Sequence, residues 1–362
     1  MPGQDELFII MINKLRDLNA RLNFFEKIFQ QDLLNSFPIS VGLPTGDKCN
    51  LKCIFCTDRV AKEDYKNISF DEFLKFTESL NFASSIQIQG WGEPLLNPDY
   101  GRIFDFVITK CKGARISFNT NGILLNEEWN NKFTSNENIF INISMNGSTK
   151  ETYHQVMGAN HFDKVIRNIQ LLMKKKKEKK SLSPFVSLSF ICLENNIHEL
   201  PGFINLVADL GINCVILREL MILRKEHEKY VPHSRKVKGI LAQTLENAKK
   251  RGVILDTSSF PISNFLNESA EKIEEFRGYD YPKYYQTCAS PYYFNECHDP
   301  WTYFQVNTDG YVKICCFSDS IMGNIFKQSF SDIWNGDGYR YYRRNVNTSA
   351  PPEDCVRCVK KR

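Results

Sequence analysis

Apolar and polar positions change period several times along the chain, and each change marks an element. From residue 6 to 36, "LFIIMINKLRDLNARLNFFEKIFQQDLLNSF" repeats apolar residues at helical spacing without Gly or Pro, which predicts a helix. "ISVGLP" (39–44) is a short strand. Ser69-Phe70-Asp71-Glu72 forms a capping box that opens a helix over "FDEFLKFTESL". Five further strands are expected at "SIQIQG" (85–90), "RISFNTNG" (115–122), "IFINISMNG" (139–147), "FVSLSFICL" (185–193) and "CVILREL" (214–220). Helices fall between them, around 98–111, over "NEEWNNKF", over "FDKVIRNIQLLMKKKKEKK" and over "IHELPGFINLVADLG", the last interrupted at Pro201-Gly202. A helix over 233–251 closes the series.

Strands alternating with helices of this length imply a parallel sheet with right-handed crossovers. Six units fall short of the eight in a closed barrel, so the expected fold class is α/β, a partial, open (β/α)6 barrel. In such barrels chemistry gathers at the C-terminal ends of the strands. After about residue 255 the alternation stops and the tail becomes rich in Tyr, Cys, Asn, Gly and Pro. Three regions follow: an N-terminal helical segment (1–38), the partial barrel (39–255) and a small cysteine-rich domain (256–362). A domain of that kind usually needs a metal or disulfides to stay folded.

Composition narrows the function classes. Hydrophobic residues make up 42% and charged residues 24% of the 362, as in soluble globular chains. A net charge of +4 argues against a dedicated nucleic-acid binder. The lysine run at 174–180 reads as a solvated helix end, where cations suit the dipole. No apolar run is long enough to span a membrane, and the N-terminus lacks the basic start and small-residue cleavage site of a signal peptide. A cytoplasmic protein without a membrane partner is expected.

The chain has twelve cysteines. A reducing compartment favours metal binding or catalysis for the clustered ones. Cys111, Cys192 and Cys214 sit singly in apolar runs and read as core residues. "CNLKCIFC" places Cys49, Cys53 and Cys56 directly after the first strand. Three thiols fit two readings: a zinc site completed from elsewhere, or an iron–sulfur cluster with one iron left open to a small molecule. The nearest histidine is His154, so no local fourth ligand exists. After the second strand stands "QGWGEPLL". Gly90 and Gly92 let a backbone approach a ligand closely, and Glu93 can accept hydrogen bonds from an ammonium group. The same stretch also reads as an ordinary Gly/Pro turn.

Taken together, the CxxxCxxC spacing, the aromatic before the third Cys and the G-x-G-E-P motif resemble the radical S-adenosylmethionine (radical SAM) superfamily. The resemblance implies that Cys49, Cys53 and Cys56 hold a 4Fe–4S cluster whose open iron is chelated by S-adenosylmethionine. Gly90, Gly92 and Glu93 match positions that cradle the methionyl amine, and Phe55 matches the aromatic beside the adenine. Trp91 stands where the family commonly has a second Gly. "FNTNG" (with Asn121) and "ISMNG" resemble the next two strand ends, with Ser144 toward the ribose and Asn146 where many relatives have Asp. The implied chemistry is one-electron cleavage of S-adenosylmethionine to methionine and a 5′-deoxyadenosyl radical, which abstracts hydrogen from an unactivated C–H. A low-potential electron donor such as flavodoxin or ferredoxin is the implied protein partner.

The tail carries Cys288, Cys297, Cys315, Cys316, Cys355 and Cys358. Asp309-Gly310 predicts a hairpin turn that brings Cys297 and Cys315 close. "GNIFKQSFSDIWNGDGYRYYRR" reads as a helix returning the chain to Cys355. This region resembles the auxiliary-cluster domains of the same superfamily, SPASM and its shorter twitch version. Cys297, Cys315, Cys355 and Cys358 are then assigned to one auxiliary 4Fe–4S cluster, with four-thiolate zinc as the alternative and Cys288 and Cys316 spare. Its job would be electron transfer, with a structural role as the alternative. Glu194, Arg218 and Glu219, near the ends of the fifth and sixth strands, are candidate catalytic or substrate-contacting groups, or else rim salt-bridge residues.

The expected activity is hydrogen abstraction from a small polar metabolite, such as a sugar, aminocyclitol or nucleoside, with oxidation through the auxiliary cluster. One alternative is modification of a ribosomally made peptide. The residues before the first strand read as too short and too helical for a leader-binding domain, which weighs against it. A non-enzymatic iron–sulfur carrier or sensor is the other alternative, and it gives Gly90, Gly92 and Glu93 no use.

Overall fold

The structure, a computed structural model, describes residues 4–56, 65–220, 222, 225–259, 296–316 and 318–356. Strand and helix alternate from the first strand onward: β1 (Ser40–Leu43), α2 (Phe70–Leu74), β2 (Ser85–Ile88), α3 (Tyr100–Lys110), β3 (Arg115–Thr120), α4 (Glu127–Thr134), β4 (Ile139–Ser144). Then come α5 (Lys150–Met157), α6 (Phe162–Glu178), β5 (Phe185–Ile191), α7 (Leu200–Asp209), β6 (Cys214–Arg218), α8 (Ser234–Arg251) and β7 (Ile254–Ser259). The expected six strands are present. The seventh, β7, continues the alternation past residue 255. Its sequence, ILDTSS, has too few apolar positions to announce a strand, and its place is set by parallel pairing with β6.

Local signals explain most elements. Ser69 accepts from the Glu72 amide while the Glu72 carboxylate accepts from the Ser69 amide, so the capping box is formed. The helix it opens runs only to Leu74, and a separate 3-10 turn covers Thr77–Leu80. Helix α7 is continuous, contrary to the interruption expected at Pro201-Gly202. Pro201 occupies the first turn, where its missing N–H costs nothing. Helix α5 was not anticipated, although its signals are present: Thr149 caps the Thr152 amide, and Gly158 ends the helix in the left-handed region (φ +73°).

The chain forms two compact units. Unit 1 comprises Met1–Lys48, Tyr65–Phe118 and Tyr292–Arg362, and unit 2 comprises Cys49–Asp64 and Asn119–Pro291. In unit 1 the strands run β10-β9-β8-β1-β2-β3, where β8 is Tyr303–Val306, β9 Tyr311–Lys313 and β10 Ile321–Asn324. β8 pairs parallel with β1, so the cysteine-rich tail adds its first strand to the strand that precedes the Cys49 loop. The Asp309-Gly310 hairpin joins antiparallel β8 and β9, with Gly310 at φ +78°.

The single return helix expected in the tail is instead β10 followed by two helices, Phe330–Trp334 and Asp337–Asn345. The break falls at Gly336, whose Cβ would stand 2.4 Å from the Asp332 carbonyl oxygen. Phe304, Phe330, Trp334 and Tyr339 pack as an aromatic cluster here. Buried Arg343 lies over Trp334 at 4.5 Å, donating to the Pro300 and Asp32 carbonyls.

In unit 2 the strands run β4-β5-β6-β7, all parallel. Their C-terminal ends therefore share one edge, which carries Ser144, Glu194, Arg218 and Glu219 at or just past β4, β5 and β6. Among the described residues, no helix is long and apolar enough to cross a membrane.

Candidate active site at the cysteine loop

Within unit 2 the loop carrying Cys49, Cys53 and Cys56 is seated on the C-terminal end of α5. Lys52 N donates to the Met157 carbonyl (3.3 Å) and Ile54 N to the Val156 carbonyl (3.0 Å). These are carbonyls that a helix end leaves without intrahelical partners, so loop and helix satisfy each other. Gly158 permits the approach, since a Cβ there would lie 2.4 Å from the Lys52 oxygen. The Cys53 Sγ is 3.9 Å from the Met157 Sδ, and Asn146 Nδ2 lies 3.2 Å from the same sulfur.

Asn121, an expected cofactor-binding position, braces this loop, and Asn146 braces the strand ends beside it. Asn121 Nδ2 donates to Asn50 Oδ1 (2.7 Å), between Cys49 and Leu51, while Asn121 Oδ1 accepts from Ile123 N. Asn146 is fully buried with φ +55°, a conformation Asn tolerates. Its Oδ1 accepts from Ile191 N (2.7 Å) and its carbonyl from Asn196 Nδ2 (3.0 Å), which ties β4 to the end of β5. Ser144 is half-buried at the end of β4, 3.5 Å from the Ser189 hydroxyl. Phe55 is half-buried in the loop.

Within unit 1 the segments after β1 and β2 continue side by side past the strands. Gln89 N donates to Leu43 O, Gly92 N to Gly46 O and Glu93 N to Lys48 O at 2.8 Å. This gives the glycines a structural reason alongside the expected one. A Cβ on Gly90 would stand 1.9 Å from the Gly46 oxygen, and one on Gly92 would stand 2.2 Å from the Lys48 oxygen. Both are required by close approach of the chain's own backbone just before Cys49. Glu93 is buried and caps the following turn, accepting from Leu95 N (3.2 Å). Burial, together with the nearby Glu93 charge, pushes the Tyr100 phenol well above its usual pKa. Trp91, between the two glycines, is 43% exposed.

Glu194 is committed in part to the scaffold, since its carboxylate accepts from His233 N (3.0 Å) at the start of α8. Arg218 is half-buried and ends β6, and its carbonyl accepts from Cys192 N. Glu219 is exposed.

The cysteines separate by burial as their patterns suggest. Cys111, Cys192 and Cys214 are buried. Burial pushes the Cys111 thiol up to about 11, and the Cys192 and Cys214 thiols higher still. Cys49, Cys53 and Cys56 are exposed or half-buried on an anchored loop, where an incoming group can reach them. Among the described residues, no group of three or more His, Cys, Asp or Glu side chains is already gathered as a metal site. Three accessible thiols on a backbone fixed from outside fit an iron–sulfur cluster.

In unit 1, Cys297 is held on both sides by Asn347, which accepts from its N–H (2.7 Å) and donates to its carbonyl (3.0 Å). Cys315 and Cys316 follow β9, and Cys355 N donates to Pro352 O. Cys288 and Cys358 lie outside the described residues.

Sequence reasoning missed Asn50, and it missed α5 with the residues that work through it: Met157, Gly158 and Glu199. The Glu199 carboxylate accepts from Ser148, Thr149 and Thr152 at the start of α5. Only the capping signals Thr149 and Gly158 are local enough to have found it.

A parallel α/β chain with a three-cysteine loop after its first strand and a second cysteine group in its tail defines an iron–sulfur enzyme class. Residues 43–207 match the radical SAM superfamily and residues 297–359 match the SPASM iron–sulfur cluster-binding domain. The chain carries a radical SAM domain and a C-terminal SPASM-type domain; its cofactors are a SAM-binding 4Fe–4S cluster, S-adenosylmethionine and an auxiliary iron–sulfur cluster.

Among curated proteins it is 25% identical over 173 residues to mycofactocin maturase MftC of Mycobacterium tuberculosis, covering 47% of this chain and 42% of that protein. The match thus spans less than half the length of that relative. It is 24% identical over 315 residues to a probable GTP 3′,8-cyclase of Methanococcus maripaludis, covering 85% of this chain and 93% of that one. Among solved structures, Streptococcus suis SuiB bound to precursor peptide SuiA aligns with TM-score 0.65 at 14% identity, over 95% of this chain and 74% of that one. That likeness shows the fold: a parallel α/β sheet with helices, open rather than closed, plus a cysteine-containing C-terminal domain.

Proposed function

We propose that this protein is a radical SAM enzyme that modifies a ribosomally made peptide, abstracting hydrogen from one of its side chains or its backbone. The observation that carries this reading is the pairing of the two cysteine-bearing domains with likeness to a maturase and to a peptide-bound enzyme of the same fold. It replaces the small polar metabolite as first choice. A nucleotide substrate is the second reading, supported by similarity to the probable GTP 3′,8-cyclase over 85% of this chain.

When bound, the cluster and S-adenosylmethionine supply a 5′-deoxyadenosyl radical by one-electron cleavage of the sulfonium. Cys49, Cys53 and Cys56 would hold that cluster. Asn50, anchored by Asn121, and Lys52, anchored on α5, would fix the loop so that the open iron stands in one place. Gly90, Gly92 and Glu93 would present backbone groups and a carboxylate to the methionyl amine, Phe55 would face the adenine, and Ser144 the ribose. Glu194, Arg218 and Glu219, on the shared strand-end edge, would meet the substrate. Cys297, Cys315, Cys355 and Cys358 would hold the auxiliary cluster, which accepts an electron or stays structural. A low-potential donor such as flavodoxin or ferredoxin would reduce the first cluster.

The test is anaerobic reconstitution followed by S-adenosylmethionine and dithionite. 5′-Deoxyadenosine is expected with wild type and lost in Cys53→Ala. A fully loaded protein that produces none rejects the enzyme reading. Candidate precursor peptides and GTP, supplied separately, then distinguish the two substrates by which one changes mass.

A further inference from the structure

The N-terminal helix α1 (Gln4–Ile28) has its polarity turned inside out. The residues it buries in unit 1 are polar: Arg16, Asn19, Asn23 and Glu26 are all under 9% exposed. Each is bonded. Arg16 donates to the Lys112 carbonyl, and Asn19 exchanges bonds with the Phe37 backbone at 3.1 and 2.8 Å. Asn23 donates to Ser36 and to the Trp301 carbonyl, and Glu26 accepts from the Asn35 and Ser36 amides. A surface helix ordinarily turns its apolar stripe inward and its polar face out.

The apolar residues of this helix stand outside. Met11, Leu15, Leu18, Leu22, Phe25 and Phe29 are between 38% and 71% exposed. Phe29 belongs to the same helical run, since its N–H donates to Phe25 O at 2.9 Å. The spacing of these six is four, three, four, three, four, which is the alternation of a coiled-coil seam. At roughly 100 Å² per residue, the six with neighbouring Ile10, Phe24 and Ile28 offer on the order of 900 Å² of apolar-side surface. The largest apolar patch on a monomer is about 300–600 Å². A stable interface buries about 800 Å² per partner.

We propose that α1 is a homodimerisation helix, with two copies of this chain pairing their Met11–Phe29 seams about a two-fold axis. A two-fold interface uses the same patch on both copies, so one self-complementary apolar seam suffices. The 4-3 spacing is what knobs from another helix require, whereas a lipid surface needs only a broad apolar face with a basic rim. Here Asp17 sits between Lys14 and Arg21 and pairs with Arg21 at 2.9 Å, which breaks such a rim.

The experiment uses the full chain with its clusters loaded, measured by light scattering and sedimentation across low to high micromolar concentration. The wild type is expected at twice the chain mass. Leu18→Glu and Phe25→Glu are expected to weaken dimerisation at least 10-fold without changing iron content or circular dichroism, since both positions face solvent within one copy. Hydrogen exchange in 11–29 is expected to slow with rising wild-type concentration. A wild type that stays monomeric throughout, or seam variants that dimerise as well as wild type, overturns the proposal. So does a wild-type monomer that sediments with anionic phospholipid vesicles and loses that binding in Leu18→Glu, which assigns the face to a membrane surface instead.

Discussion

A Cβ added to Gly158 would meet the carbonyl oxygen of Lys52 at 2.4 Å, so the helix that ends at Gly158 and the loop that carries the three cysteines touch at their backbones. The cysteine motif is held in place by a residue about a hundred positions further along the chain. Gly158→Ala is therefore expected to cost about 2–3 kcal/mol, from the left-handed conformation plus displacement of the loop. Gly211 has a nearly identical φ of +74° and nothing within 4 Å of its would-be Cβ. Gly211→Ala should cost only about 1 kcal/mol. Urea unfolding of both variants, with iron and sulfide per chain, checks this. Gly158→Ala should lower cluster loading and Gly211→Ala should not.

Glu199 gives that same helix a pH dependence. Burial alone would raise its carboxyl pKa, but hydrogen bonds from Thr149, Thr152 and Ser148 outweigh it and hold the group below the usual glutamate value. The folded state thus binds this proton less tightly than the unfolded state. The stabilisation is complete above the ordinary glutamate pKa and is lost as pH falls through the lowered folded value. Glu199→Gln should cost about 1–2 kcal/mol at neutral pH, because bonds to a charged acceptor are replaced by bonds to a neutral one. The difference between wild type and Glu199→Gln in denaturant midpoint should shrink on acidification below about pH 4. A gap that does not change with pH would remove the carboxylate from this role.

Thiol reactivity should sort the cysteines in protein stripped of its clusters. Cys111, with its thiol pushed up to about 11 from 9.0 by burial, carries about 100-fold less thiolate at pH 8 than an ordinary cysteine. Cys192 and Cys214 are raised further by burial, with the Glu219 and Asp256 charges adding to the effect. Alkylation followed by peptide mass mapping should label Cys49, Cys53, Cys56 and Cys316 first and these three last.

Arg343 should be among the costliest side chains in unit 1 to truncate. It is buried over Trp334 and Tyr339, and desolvation holds its pKa down to about 10. Arg343→Ala leaves the Pro300 and Asp32 carbonyls without their donor and opens a void beside the rings. A loss of about 3–4 kcal/mol is expected. Arg343→Lys should recover only part of it, because one ammonium cannot span both carbonyls and stack on indole. The chemical denaturation midpoint reads both.

Cys355→Ala should leave S-adenosylmethionine cleavage measurable while stopping substrate turnover, whereas Cys53→Ala should stop both. 5′-Deoxyadenosine and product are assayed together. Equal loss of both in Cys355→Ala would mean that the tail's cysteines serve the fold rather than an electron path.

Much of the architecture was legible because it is written in short periods. The strands at 40–43, 85–88, 115–120, 139–144, 185–191 and 214–218 follow from apolar runs between helices, and the Ser69 capping box from four adjacent residues. The cysteine spacings are covalent facts and point to chemistry without a fold. What stayed hidden was non-local. Asn121 holding Asn50, Met157 beside Cys53, and β8 lying parallel to β1 join residues that no periodicity relates.

The sequence by itself determined the class: three thiols after a first strand, a Gly-x-Gly-Glu-Pro turn after the second, and a cysteine-bearing tail. Only the tertiary structure decided what several of those residues do. Gly90 and Gly92 are spaced for the oxygens of Gly46 and Lys48, and Glu194 caps a helix. The N-terminal helix buries its polar side and leaves its apolar seam in solvent. A pattern of apolar positions states which residues share a face. Which face is buried depends on what lies opposite, and that is settled only when distant segments meet.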